Sequence, residues 1–147
     1  MLESIVVSAF PGCGKSFAYN NARQLDLDCI NIDALKPHNY VEEVLKWQGK
    51  HRFILVSYSA NVREALMYAG ISFTVVLPAT GADIKQAFIS RLYNAKQDAK
   101  ELQAYVDFIS SNYDTWMSNE FANVGHPLYT LRLNKGEYLS DKLYDLM

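Results

Sequence analysis

The chain has 147 residues, half of them hydrophobic and a fifth charged, with a formal net charge of −2. That profile suits one domain with its own core, and the lack of a basic excess argues against a protein that grips duplex nucleic acid through many phosphates. The two cysteines, Cys13 and Cys29, have no metal-type spacing and read as reduced thiols of a cytoplasmic protein. The short first apolar run carries Glu3 and argues against a signal peptide, and no run suits a membrane span.

Ser4 to Ala9 predicts a first strand, and a helical stretch follows from Lys15 to about Leu25. Between them stands Ala9-Phe10-Pro11-Gly12-Cys13-Gly14-Lys15-Ser16. Glycines let such a loop bend until successive N–H groups face an anion, and the following helix aims its positive dipole end at the same point. The reading is a cradle for nucleotide phosphates made of Ala9, Pro11, Gly12, Cys13, Gly14, Lys15, Ser16 and Phe17. Lys15 would reach the β- and γ-phosphates and Ser16 would ligand Mg²⁺. Cys13 is expected to act through its N–H rather than its sulfur.

A second strand is predicted over Asp28 to Asp33, where period-two alternation puts Asn31 and Asp33 on one face toward the loop. Asp33 is the candidate to orient or deprotonate an acceptor hydroxyl, or to hold the water shell of Mg²⁺. A helix around Tyr40 to Gln48, ended by Gly49, leads to a third strand at Arg52 to Ser57. Many nucleotide hydrolases carry an aspartate at the end of that strand; Ser57 here supplies no negative charge, which shifts metal holding to Ser16, the phosphates and Asp33. Ser57 to Arg63 is a candidate acceptor lining.

A helix around Asn61 to Ala69, capped by Gly70, precedes a fourth strand at Ser72 to Leu77 that Pro78 stops. A helical region from about Ala82 to Glu120 follows, broken near Asn94 to Asp98. Its stripe of Leu102, Tyr105, Val106, Ile109, Tyr113 and Trp116 reads as core packing. Arg63, Arg91 and Lys96 are the candidate cations for a moving phosphoryl group, and the last two flank the break, where a lid would close. A fifth strand at Leu128 to Leu133 and a short helix from Ser140, a good N-cap residue, complete the chain.

The loop Ala9 to Ser16, with Asn31-x-Asp33 and the lid-like helical pair, resembles the P-loop kinases of the nucleoside and nucleotide monophosphate kinase group, and the layout is similar to small phage-encoded kinase-like proteins. The resemblance implies one α/β domain over residues 1–147, three-layered, with five parallel strands in the order 2-3-1-4-5, helices on both faces and a lid around 82–100. It implies ATP as donor, Mg²⁺ as cofactor, and adenine near Asn134 to Gly136. The function it implies is phosphoryl transfer to a small acceptor, a nucleoside or nucleotide, with Lys15, Asp33, Arg63 and Arg91 as catalytic residues. Two alternatives stay open: a non-catalytic nucleotide-binding module, and a kinase for the 5′ ends of polynucleotides.

Overall fold

A computed structural model describes residues 3–94 and 98–146. Five strands, β1 (Ile5–Ala9), β2 (Cys29–Asn31), β3 (Phe53–Ser57), β4 (Thr74–Pro78) and β5 (Tyr129–Leu133), form one parallel sheet in the order β2-β3-β1-β4-β5. Seven helices pack around it among the described residues: α1 (Lys15–Asn20), α2 (Tyr40–Trp47), α3 (Ala60–Tyr68), α4 (Ala82–Arg91), α5 (Ala99–Met117), α6 (Asn119–Ala122) and α7 (Leu139–Lys142). No helix among those residues is long and apolar enough to cross a membrane.

Successive residues of a strand point to opposite faces, so a strand buried at every position is covered on both sides. Val6 to Ala9 and Phe53 to Val56 are buried throughout, which places β1 and β3 at the centre. β5 forms one border, with Tyr129 and Thr130 exposed. The register aligns Ala9 with both Ser57 and Val76, so the carboxyl ends of β1, β3 and β4 meet at one edge.

Several boundaries differ from the sequence expectations. The first helix ends at Asn20 rather than near Leu25; Asn21 donates its side-chain N–H to the Phe17 carbonyl at 2.9 Å and Asp26 turns the chain with φ of 53°. β2 stops at Asn31, and Ile32–Leu35 wind into a 3-10 turn instead of continuing the strand. In the long helical region, the expected break begins with a 3-10 turn at Leu92–Asn94, and residues 95–97, including Lys96, lie outside the described residues. A further break falls at Ser118, whose Oγ accepts from the Phe121 N–H at 3.2 Å and thereby starts α6. The last helix is capped at Tyr138, not Ser140, because the Asp141 carboxylate accepts the Tyr138 N–H at 2.8 Å.

Candidate active site

The loop between β1 and α1 bends through Gly12 and Gly14, at φ of 90° and 103°. Both angles are left-handed, a region that costs other residues strain. Both sites are also crowded: a Cβ on Gly12 would lie 3.2 Å from the Phe88 carbonyl oxygen, and one on Gly14 3.3 Å from the Tyr138 ring. Gly14 caps α1 without any side-chain hydrogen bond to its first amides.

Pro11, Gly12, Gly14, Lys15, Ser16 and Phe17 line a cleft of about 1040 Å³ that runs along the carboxyl edge of the sheet. Ala9 and Cys13 lie buried behind it. The Cys13 N–H, expected to face an anion, donates to the Phe10 carbonyl at 3.1 Å, and its own carbonyl accepts from the Leu139 N–H at 2.7 Å. Burial pushes the Cys13 thiol up to about 12, against the lowering charges of Arg91 and Lys15, which makes the sulfur a packing group rather than a nucleophile.

Lys15 donates to Asp33 Oδ2 at 3.1 Å and to the Val56 carbonyl at 3.5 Å. Asp33 therefore faces the loop as expected, but from the 3-10 turn rather than from β2. Asn31 does not accompany it: it is buried at the end of β2, and its Oδ1 has no partner among the described residues. Tyr40, at the start of α2, donates its hydroxyl to Asp33 Oδ1 and so fixes the carboxylate from the side away from Lys15. Sequence reading missed Tyr40, and no local signal pointed to it. Burial pushes the Asp33 carboxyl up, but the Lys15 charge and the hydrogen bonds from Tyr40 and Lys15 together outweigh it and hold the group below its ordinary value.

The two candidate arginines have different fates. Arg91, at the end of α4, donates to the Gly12 carbonyl at 3.1 Å, and its guanidinium lies 3.8 Å from the centre of the Tyr138 ring and 4.0 Å from that of Phe88. It lines the cleft beside the loop. Arg63 is 0 % exposed and does not line the cleft. Its guanidinium donates to the carbonyls of Tyr58, Phe121, Ala122 and Val124 and lies beside the packed Tyr58 and Phe121 rings, 4.4 and 4.8 Å from their centres. The expected role in stabilising a moving phosphoryl group is corrected on this geometry: with its Nε and Nη1 donors turned to main-chain oxygens and its Nη2 buried without a partner among the described residues, Arg63 holds α3 to α6 and the segment after it.

The expected core stripe of α5 also divides. Val106 and Tyr113 are buried in the core, whereas half-buried Tyr105 and Trp116 line the cleft with buried Ile109 and exposed Phe108. Ser57 and Ser59 complete the lining from the end of β3, and the Ser57 hydroxyl accepts the Ser59 N–H at 3.1 Å.

Among the described residues, no three His, Cys, Asp or Glu side chains are grouped to hold a metal ion. Ser16 and Asp33 are both in the cleft and offer hard oxygen donors. That sparse set fits Mg²⁺, which keeps several waters and takes substrate phosphates as ligands instead of requiring a protein cage.

The sequence matches no family model, and no curated protein matches it. Among solved structures, the chain is similar to an uncharacterized protein from Eubacterium ventriosum, at a TM-score of 0.51 and 12% identity over 99% of this chain and 96% of that one. A more distant neighbour is a gluconokinase from Sinorhizobium meliloti, at a TM-score of 0.41 and 16% identity over 97% and 88% of the two chains. The first likeness is one of fold. Together with the strand order, it describes an α/β architecture with a five-stranded, all-parallel sheet in the order β2-β3-β1-β4-β5 and helices around it.

Proposed function

We propose that the chain is an ATP- and Mg²⁺-dependent phosphotransferase that acts on a small acceptor, a nucleoside or nucleotide. The observation that carries this reading is the convergence of Lys15 and Asp33, 3.1 Å apart, at the mouth of a glycine-bent loop in a cleft of about 1040 Å³. Pockets for small ligands measure roughly 300–1,000 Å³, and the cleft stands at the top of that range.

In this reading the loop amides and Lys15 hold the triphosphate. Lys15 exchanges Asp33 for phosphate oxygens when the donor arrives, and Arg91, from the stretch 82–100 read as a lid, adds charge from the opposite side. Asp33, kept in place by Tyr40, then accepts the proton of an acceptor hydroxyl. Ser16 and Asp33 are the protein groups that would hold Mg²⁺, which when bound neutralises charge on the β- and γ-oxygens.

Ser57 favours a second reading, in which the chain binds nucleotide without turnover. It ends β3 beside Ala9, where a carboxylate would help hold the metal, and it brings only a hydroxyl. Incubation with γ-labelled ATP, Mg²⁺ and nucleosides, nucleotides or oligonucleotides decides between the readings. Label is expected on a small acceptor and is expected to vanish in Lys15→Ala; binding without transfer to any acceptor favours the second reading, and label on oligonucleotide ends identifies a polynucleotide kinase.

A further inference from the structure

Arg63 does not line the cleft, yet its contacts lead to one end of it. Of the four main-chain carbonyls that accept from its guanidinium, two belong to Tyr58 and Phe121, at 3.1 and 2.7 Å. The rings of the same two residues lie against the guanidinium, with centres 4.4 and 4.8 Å from its carbon. Tyr58 and Phe121 both line the cleft. One buried cation thus holds each of them twice, by its main chain and by its ring. The planar fork of an arginine fixes the directions of its donors, which a lysine ammonium does not.

This hold passes outward from ring to ring. The Tyr58 and Phe121 rings stand 5.5 Å apart at 33°. Beyond them, the Tyr58 hydroxyl donates to the Trp116 carbonyl at 2.8 Å, and the Phe121 ring stacks on that of Trp116 at 6.1 Å and 30°. Phe108 then meets Trp116 edge-on at 5.6 Å. From the glycine-bent loop, buried Phe10 touches the set through Tyr58 and Trp116, at 5.2 and 6.2 Å. The cations at the loop end have other supports: Lys15 bonds to Asp33 and the Val56 carbonyl, and Arg91 to the Gly12 carbonyl.

Among the described residues Arg63 makes no ion pair, and its Nη2 has no partner. A buried cation without a carboxylate costs stability that an apolar side chain of similar volume would not. Resting on the phosphotransferase reading, in which the loop end takes the donor, we propose that Arg63 is a positioning residue for the acceptor. It fixes the aromatic side of the acceptor's seat from behind and touches neither substrate. Without the fork, Tyr58 and Phe121 are free to shift, and a displacement of about 1 Å is enough to lose up to about a hundredfold in binding or rate.

The test compares Arg63→Lys with the wild-type chain, using γ-labelled ATP and four acceptor probes: adenosine, thymidine, AMP and dTMP. For the probe that takes label, Arg63→Lys is expected to raise KM about tenfold, while the calorimetric Kd for Mg·ATP stays within about twofold. Tyr58→Phe, which removes only the hydroxyl bond to Trp116, is expected to move the same constant in the same direction by a smaller factor, and serves where Arg63→Lys folds poorly. Gly70→Ala, strained at a position with open space around it, is the control for lost stability and is expected to change neither constant. A further readout needs no acceptor. Trp47→Phe leaves Trp116 as the single indole, and adding Arg63→Lys is expected to increase its quenching by acrylamide. An unchanged acceptor KM, an equal loss for acceptor and Mg·ATP, or unchanged quenching overturns the proposal while leaving the phosphotransferase reading intact. Failure of the wild-type chain to bind Mg·ATP, or to label any probe, overturns the underlying reading instead.

Discussion

Arg63 makes four hydrogen bonds to main-chain carbonyls, at 2.7 to 3.2 Å, from a position with no solvent exposure. Hydrogen bonds from a charged donor are worth about 1.5–3 kcal/mol each, and a buried acceptor left alone carries a further cost. Arg63→Met is therefore expected to lower unfolding free energy by about 3 kcal/mol or more, read by urea titration; a variant that keeps wild-type stability yet cannot transfer phosphate would return Arg63 to the cleft. Asp33 is the reverse case, a half-exposed group whose partners face the site. Its carboxyl is held below the ordinary value because the Lys15 charge and the bonds from Tyr40 and Lys15 exceed the opposing effect of burial. A depressed folded value means the pair stabilises the fold above the unfolded carboxyl value of about 3.9, and that contribution disappears as pH falls through the folded value. In Lys15→Met, the Asp33 carboxyl is expected to titrate at higher pH, followed by NMR of the labelled carboxyl carbon; an unmoved titration contradicts the pairing. Asp33→Asn is expected to reduce kcat about 10²- to 10⁴-fold, the usual worth of a general base.

At the scale of elements, the connection from α6 to β5 fits tightly against α3. A Cβ on Gly125 would stand 2.8 Å from the Arg63 carbonyl oxygen and 2.9 Å from the Phe73 ring, whereas one on Gly70 meets nothing within 4 Å. Both glycines have left-handed φ, 81° and 73°. Gly125→Ala is expected to cost about 1–2 kcal/mol more than Gly70→Ala, since both carry the backbone strain but one adds a steric clash with main chain; equal melting temperatures would contradict the packing. The strands were legible because short apolar runs stand between glycine, proline and polar breaks, and the loop because its chemistry is local. The end of β2 was not, since Ile32 and Asp33 turn where Lys15 and Tyr40 hold the carboxylate. Periodicity placed the α5 stripe on one side of a helix, but a stripe wide enough to bury Val106 and Tyr113 also reaches a cleft, and spacing alone cannot mark where core becomes wall. Arg63 was misassigned for a similar reason: three of the carbonyls it binds lie 58 to 61 residues along the chain.

For the molecule as a whole, the order β2-β3-β1-β4-β5 gathers the glycine-bent loop, Asp33 and Ser57 at one edge. Ligands of open parallel sheets sit beyond that edge. The start and end of the chain meet there too, since the Leu139 N–H donates to the Cys13 carbonyl at 2.7 Å and Tyr138 packs on Gly14 and Arg91. Every proposed step depends on the loop receiving a triphosphate with Lys15 as its main counter-charge. Calorimetric titration of Mg·ATP into the wild-type chain and Lys15→Ala tests this most directly. Saturable binding by the wild type that weakens at least tenfold in the variant, with both equally folded by circular dichroism, is the predicted result; no binding by the wild type at millimolar nucleotide, or equal binding by both, would contradict the account.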